Sequence, residues 1–229
     1  MSAQPTLHIY FLLDRSGSMA SIADDVIGGF NSFLAAQIVD GNDAVMTLVQ
    51  FDSQDPHEVL AEGLPLAEVT PLSASSFQPR GSTPLYDAMG HLIADAAIRA
   101  ERLVATGSDP EEILVVIFTD GQENESREYD QKKVFDLIKK HEEKGWTFAY
   151  MGANQDSYAE TDMIGVAPGS TQNYMADAPG TAAAYASLTH AVSVKRGKMR
   201  RGEKHDNRDL FEGDKGAEED LRRRIGPPC

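Results

Sequence analysis

Residues 113–119 read ILVVIFT, and Asp120-Gly121 follows. An unbroken apolar or β-branched run stopped by a turn pair describes a strand buried on both faces, the kind found inside a parallel sheet. Working outward, the same signature recurs at Leu7–Leu13 (LHIYFLL), Ala44–Phe51 (AVMTLVQF) and Trp146–Met151 (WTFAYM). Helical spacing fills the intervals. Ile22, Val26, Phe30, Phe33, Leu34 and Ile38 share one face, with Ser21 the expected N-cap and Asp24 and Asp25 in the first turn. Pro84 suits the first position of a helix reaching about Thr106. A third helix is expected from about Ser126 to Lys144, stopped by Gly145, and an alanine-rich one from about Thr181 to Val192. His57–Leu64, bracketed by Pro56 and Pro65, reads as an edge hairpin strand. The alternation predicts an α/β fold: a doubly wound, mostly parallel sheet with helices on both faces.

Composition bounds the rest. Of 229 residues, 41% are hydrophobic and 25% charged, which excludes a wholly disordered chain, a collagen and a coiled coil. The single cysteine, Cys229, excludes an internal disulfide framework and a cysteine-rich zinc module. No apolar run approaches the roughly 18 residues of a membrane span. Met1–Thr6 lacks a basic leader, so a cytoplasmic location is expected. The net charge is −15. Residues 195–224 hold 11 basic and 8 acidic side chains, which leaves 10 basic against 28 acidic elsewhere. Such an acidic body repels nucleic acid and anionic membranes. Residues 1–194 are therefore expected to form the domain, and 195–229 a charged, mobile tail. The basic run from Lys195 to Arg208 has no interleaved aromatic residues, so nucleic acid is not an expected partner.

In doubly wound folds, ligands sit beyond the carboxyl ends of the strands. Three stretches lie there: DRSGS at 14–18, GSTPLYD at 81–87 and TDGQEN at 119–124. Asp14, Ser16, Ser18, Thr83 and Asp120 offer only carboxylate and hydroxyl oxygens. Such hard donors suit Mg²⁺, or Mn²⁺ or Ca²⁺, rather than Zn²⁺. Two carboxylates only balance the charge of the ion, so a carboxylate from outside could join it. Taken singly, these residues are also ordinary helix caps and turn formers. Arg15, Arg80 and Glu123 are expected on the partner-binding rim, where the two arginines would offset the acidic body for an acidic partner. Glu123, Glu125 and Glu128 are either a solvated helix start or a carboxylate that caps the ion. Asp87 reads as a first-turn acid. The six histidines show no HExxH or paired spacing.

Asp-x-Ser-x-Ser, Thr and Asp, in this order on three loops, resemble the metal-ion-dependent adhesion site of von Willebrand factor type A domains. The match covers Asp14, Ser16, Ser18, Thr83 and Asp120. The contexts FLLDRSGSM, GSTPLYDA and VIFTDGQEN are similar to the bacterial cytosolic branch that includes tellurite-resistance A-domain proteins. The resemblance spans about Thr6 to Val192 and implies a Rossmann-like sheet, bound Mg²⁺, and a protein partner whose Asp or Glu completes the coordination. Two alternatives stand beside it. One is a metal-assisted hydrolase or phosphoryl-transfer enzyme with Ser16 or Asp14 as nucleophile. No G-x-S-x-G elbow or GxxxxGK[ST] loop supports it. The other is a scaffold that recruits partners through the tail.

Overall fold

The computed structural model describes residues 6–153 and 157–225; Cys229 and the end of the expected tail lie outside the described residues, as do the first five. Six strands form one sheet in the order β3-β2-β1-β4-β5-β6. They are β1 (Leu7–Asp14), β2 (Ala44–Phe51), β3 (Glu58–Pro65), β4 (Glu112–Thr119), β5 (Thr147–Ala153) and β6 (Thr171–Tyr174). All pairs are parallel except β2 with β3, the antiparallel edge. Helices α1 (Ala23–Asp40), α2 (Leu85–Ala105), α3 (Gln131–Glu142), α4 (Ser157–Ile164), α5 (Ala178–Arg201) and α6 (Gly216–Ile225) complete the chain. This is the doubly wound, Rossmann-like architecture expected from the strand pattern.

The apolar runs follow from double-sided burial. Leu7, Ile9, Phe11 and Leu13 pack with Phe30 and Phe33 of α1 and Leu188 of α5. Tyr10 and Leu12 face the other way, toward Leu92 and Ile93 of α2 and Val134 and Ile138 of α3. Each such side chain contributes about 1.5–3 kcal/mol by leaving water, so the two layers clamp β1 and β4 and fix where their ends emerge.

Three local expectations differ. A 3-10 turn, Gly17–Ile22, precedes α1, and the Ser21 hydroxyl bonds back to Ser18 O instead of capping the helix. Helix α3 starts at Gln131, capped by Asp130, five residues after Ser126. Helix α5 runs through Arg201 and carries Lys195 and Arg196 into the interior.

The expected division at residue 195 is therefore corrected. Arg196 is fully buried and donates to Gln37 O at 2.6 Å, Gly41 O at 2.8 Å and Asp43 Oδ1 at 2.5 Å. Arg200 pairs with Asp40 and Asp43. Burial pushes the Asp43 carboxyl up, but the two guanidinium groups outweigh it and hold it down at about 2. Counter-charges at the corner between α1 and β2 thus absorb part of the basic run, which a composition count cannot reveal. Further on, α6 covers the free edge of β6. Asn173 N donates to Glu218 Oε1 at 3.4 Å, Ala217 N to Gln172 Oε1 at 3.2 Å, and Lys215 Nζ to Thr171 O at 2.9 Å. Among the described residues no helix is long and apolar enough to cross a membrane.

Candidate functional site

The strand order reverses between β1 and β4, and their carboxyl ends form the switch point of the sheet. Leu13 lies across from Phe118, so Asp14 and Thr119 leave the sheet side by side. Asp14 is fully buried. Its Oδ1 accepts from Ser16 N at 2.7 Å and its Oδ2 from the Thr119 hydroxyl at 2.5 Å. The turn after Asp14 brings the Ser16 and Ser18 hydroxyl oxygens to 3.0 Å, and the Ser18 hydroxyl donates to Asp120 Oδ1 at 2.6 Å.

Backbone bonds tie the three loops together. Gly17 N donates to Gly81 O at 3.0 Å, and Arg80 N to Arg15 O at 2.9 Å. Gly81 has φ +68°, and a Cβ there would stand 2.5 Å from Ser53 Oγ, so glycine is required for this docking. Thr83 and Asn124 pair reciprocally: Asn124 N donates to Thr83 O at 3.1 Å, and Thr83 N to Asn124 Oδ1 at 2.9 Å. The result is a small cradle over Gly121. A Cβ on that glycine would stand 2.9 Å from Thr83 Oγ1, 3.4 Å from Ser18 Oγ and 3.5 Å from Asp14 Oδ2. All five expected residues thus meet at one place, with Ser16 and Asp120 reached through Ser18.

Burial raises the Asp14 carboxyl to about 6; hydrogen bonds from Thr119 and Ser16 pull it down, and the charge of Asp120 pushes it up. Burial likewise raises Asp120, against the hydrogen bond from Ser18. Among the described residues no cation pairs with Asp14; hydroxyls, an amide and another carboxylate surround it. Such a pocket of oxygen lone pairs favours a proton or a metal ion over empty space.

The expected rim is corrected at Arg15. Arg15 is only 4% exposed. It donates to Asp52 at 2.8 Å and pairs with Glu58, because β1 delivers it beside the end of β2. Arg80 does reach the surface, with 40% of its side chain exposed, but it too is tied to Asp52 at 2.9 Å. Asp52 was not singled out from the sequence, although it follows β2 as Asp120 follows β4. Burial would raise it, yet the amides of Gln54 and Asp55 and the two arginines hold it below the ordinary range.

Glu123 lines a cleft beside these loops, but its oxygens are taken up by Tyr86 and its own loop. Its carboxylate accepts from Tyr86 N at 2.9 Å, Glu125 N at 2.9 Å and Ser126 N at 2.7 Å, and from the Ser126 hydroxyl at 2.6 Å. Pro84 rather than Thr83 occupies the N-cap position of α2, and no side chain caps there; Glu123 serves the first-turn amide instead. Asp87 accepts from the amides of Arg127, Glu128 and Tyr129 at 2.8, 2.9 and 2.7 Å. These two carboxylates satisfy residues 125–129, which explains the late start of α3. Among the described residues no three His, Cys, Asp or Glu side chains gather as a metal cluster; the oxygen set has two carboxylates and three hydroxyls. A groove of about 730 Å³ between α1 and α5, lined by Gly28, Gly29 and Ala182, lies away from these loops.

No family profile matches the sequence, and neither does any curated protein. Solved structures do match. The chain is similar to proximal thread matrix protein 1 from the mussel byssus at 15% identity and a TM-score of 0.56 over 81% of this chain. It covers 48% of that chain, so it spans about half of the mussel protein. It is similar to the manganese-loaded Plasmodium vivax TRAP protein at 18% identity and a TM-score of 0.53, over 79% of this chain and 72% of that one. It is also similar to the SpRpn10 VWA domain at 14% identity and a TM-score of 0.50, over 73% and 86%. At these identities the likeness concerns the fold alone, one like that of von Willebrand factor type A domains.

Proposed function

We propose that this chain is a protein-interaction module that depends on a divalent cation, with Asp14, Ser16, Ser18, Thr83 and Asp120 as the ion-holding set. Mg²⁺ is the expected ion, with Mn²⁺ or Ca²⁺ as substitutes. When bound, the ion supplies an electrophilic point to which an Asp or Glu of a partner protein can attach. One observation carries the reading: Asp14 Oδ2, Ser18 Oγ and Thr83 Oγ1 converge beside Gly121, next to Asp120, and among the described residues no cation pairs with the buried Asp14. The spacing supports it as well. Neighbouring ligands about 2.1 Å from Mg²⁺ lie roughly 3 Å apart, and the Ser16 and Ser18 oxygens are 3.0 Å apart. The manganese-loaded TRAP structure adds a divalent ion in a protein of the same fold.

The side chains of the chain have distinct tasks. Thr119 and Ser16 N orient the Asp14 carboxylate, and Asn124 holds the backbone of Thr83. Ser18, which is exposed, marks the open side from which a partner arrives. The single cysteine fits action in the reducing cytosol. The test is a pull-down from native lysate with Mg²⁺ or EDTA, using Ser16→Ala/Ser18→Ala as control, together with calorimetric titration of Mg²⁺. Prey that appear only with Mg²⁺ and wild type support the reading. Identical prey in every lane, or no heat of Mg²⁺ binding, overturns it.

A further inference from the structure

A cleft of about 360 Å³ lies beside the metal loops, lined by Tyr86, Gln122, Glu123, Ala159, Glu160 and Met163. Gln122 and Glu160 also line a narrow recess that reaches Thr119 and Gly121, so the cleft adjoins the loop that carries Asp120. Its volume is at the low end for ligand sites, the size of one side chain rather than a cofactor. Tyr86, Ala159 and the half-exposed Met163 give it apolar walls. Its charge comes from Glu160 and Glu123. The Glu123 oxygens are spent on Tyr86 N, Glu125 N and Ser126 and contribute only their field. Glu160 bonds to Tyr150, and among the described residues no cation pairs with it. Burial raises its carboxyl, and Glu123 raises it further. The cations on the bordering segments are engaged elsewhere: Arg127 with Glu125, and Lys132 with Asp136.

We propose that this cleft is a subsite for a lysine or arginine side chain of the partner, next to the point where the partner's carboxylate attaches. The apolar walls take the aliphatic stem and Glu160 takes the charged head, the division such side chains adopt at surfaces. The preferred partner segment then carries an acidic residue and a basic residue close together. This rests on the ion-dependent reading for the acidic half; the basic half stands on the cleft alone.

Two measurements on the full chain separate these halves. In the first, the metal-free chain with ¹³C-methyl methionine is titrated with Nα-acetyl-lysine N-methylamide and with its norleucine counterpart. The Met163 methyl signal, assigned with Met163→Leu, shifts for the lysine compound alone, and Glu160→Gln abolishes the shift. In the second, short peptides with one Glu and one Lys, separated by up to a few glycines, are compared with norleucine twins in Mg²⁺. The best lysine peptide binds about tenfold tighter than its twin, and Glu160→Gln brings the ratio to about one while Mg²⁺ affinity is unchanged. Equal response of Met163 to both compounds overturns the subsite. A lysine-specific response of Met163 with no Mg²⁺-dependent peptide binding upholds the subsite and overturns the carboxylate-binding reading.

Discussion

Gly121→Ala would place a methyl group 2.9 Å from Thr83 Oγ1, in the space shared by the oxygen set. The φ of Gly121 is not positive, so alanine fits the backbone. The expected outcome is loss of Mg²⁺ uptake by calorimetry with a melting temperature within a few degrees of wild type. Retained uptake would show that the ion does not use this space. Asp14 gives a second expectation. Its carboxyl stands at about 6 in the folded, metal-free chain against an ordinary 3.8. The folded chain therefore holds a proton that the unfolded chain releases, and this group costs stability as pH rises from 3.8 to about 6 and stays costly above. A cation competes with that proton. Mg²⁺ affinity should be level above pH 6 and fall about tenfold per unit below it. Titrations between pH 5 and 7 with no such break would count against Asp14 as a ligand. The meeting of the five residues was legible because each of their three loops follows a predictable strand or precedes a predictable helix. The roles of Arg15 and Glu123 were not. They depend on Asp52 and on the amides of residues 86, 125 and 126, which only the folded loops bring near.

Helix α5 shows why charge counts mislead at the scale of an element. Its last two turns looked like the start of a solvated tail, yet Arg196 is held by Gln37, Gly41 and Asp43. Removing one member of a buried ion pair leaves the rest unpaired, at about 3–5 kcal/mol. Arg196→Ala should lower the urea unfolding free energy by that order, and a chain ending at Val194 should fare worse. A truncation with unchanged stability would restore the division at 195. The strands and the central helices were readable because their periodicity reports burial; the length of α5 was not, because its partners lie on the corner before β2. Helix α6 adds an edge argument. Without residues 203–225, β6 would lose the Lys215 and Glu218 contacts to its open side. An uncovered edge invites pairing, so that deletion should elute as concentration-dependent oligomers in size-exclusion chromatography.

For the molecule as a whole, acid sensitivity follows from two carboxylates at the same end of the sheet, one on either side of β1. For Asp43 and Glu111, burial is outweighed by basic partners, Arg200 and Arg196 for the first and His8 and Arg99 for the second; both are held at about 2. A depressed carboxyl stabilises the fold above its unfolded value and loses that contribution as pH falls toward its folded one. Urea midpoints should therefore decline steadily from about pH 4 to pH 2, and Asp43→Asn should flatten the slope. A midpoint independent of pH in that window would contradict both ion pairs. The bond from Ser18 to Asp120 joins residues 102 positions apart along the chain. An ion shared by their loops would act as a removable staple across nearly half the polypeptide, one the unfolded ensemble cannot close. Such a staple tightens by mass action, so the heat resistance of the fold becomes a gauge of free magnesium around it.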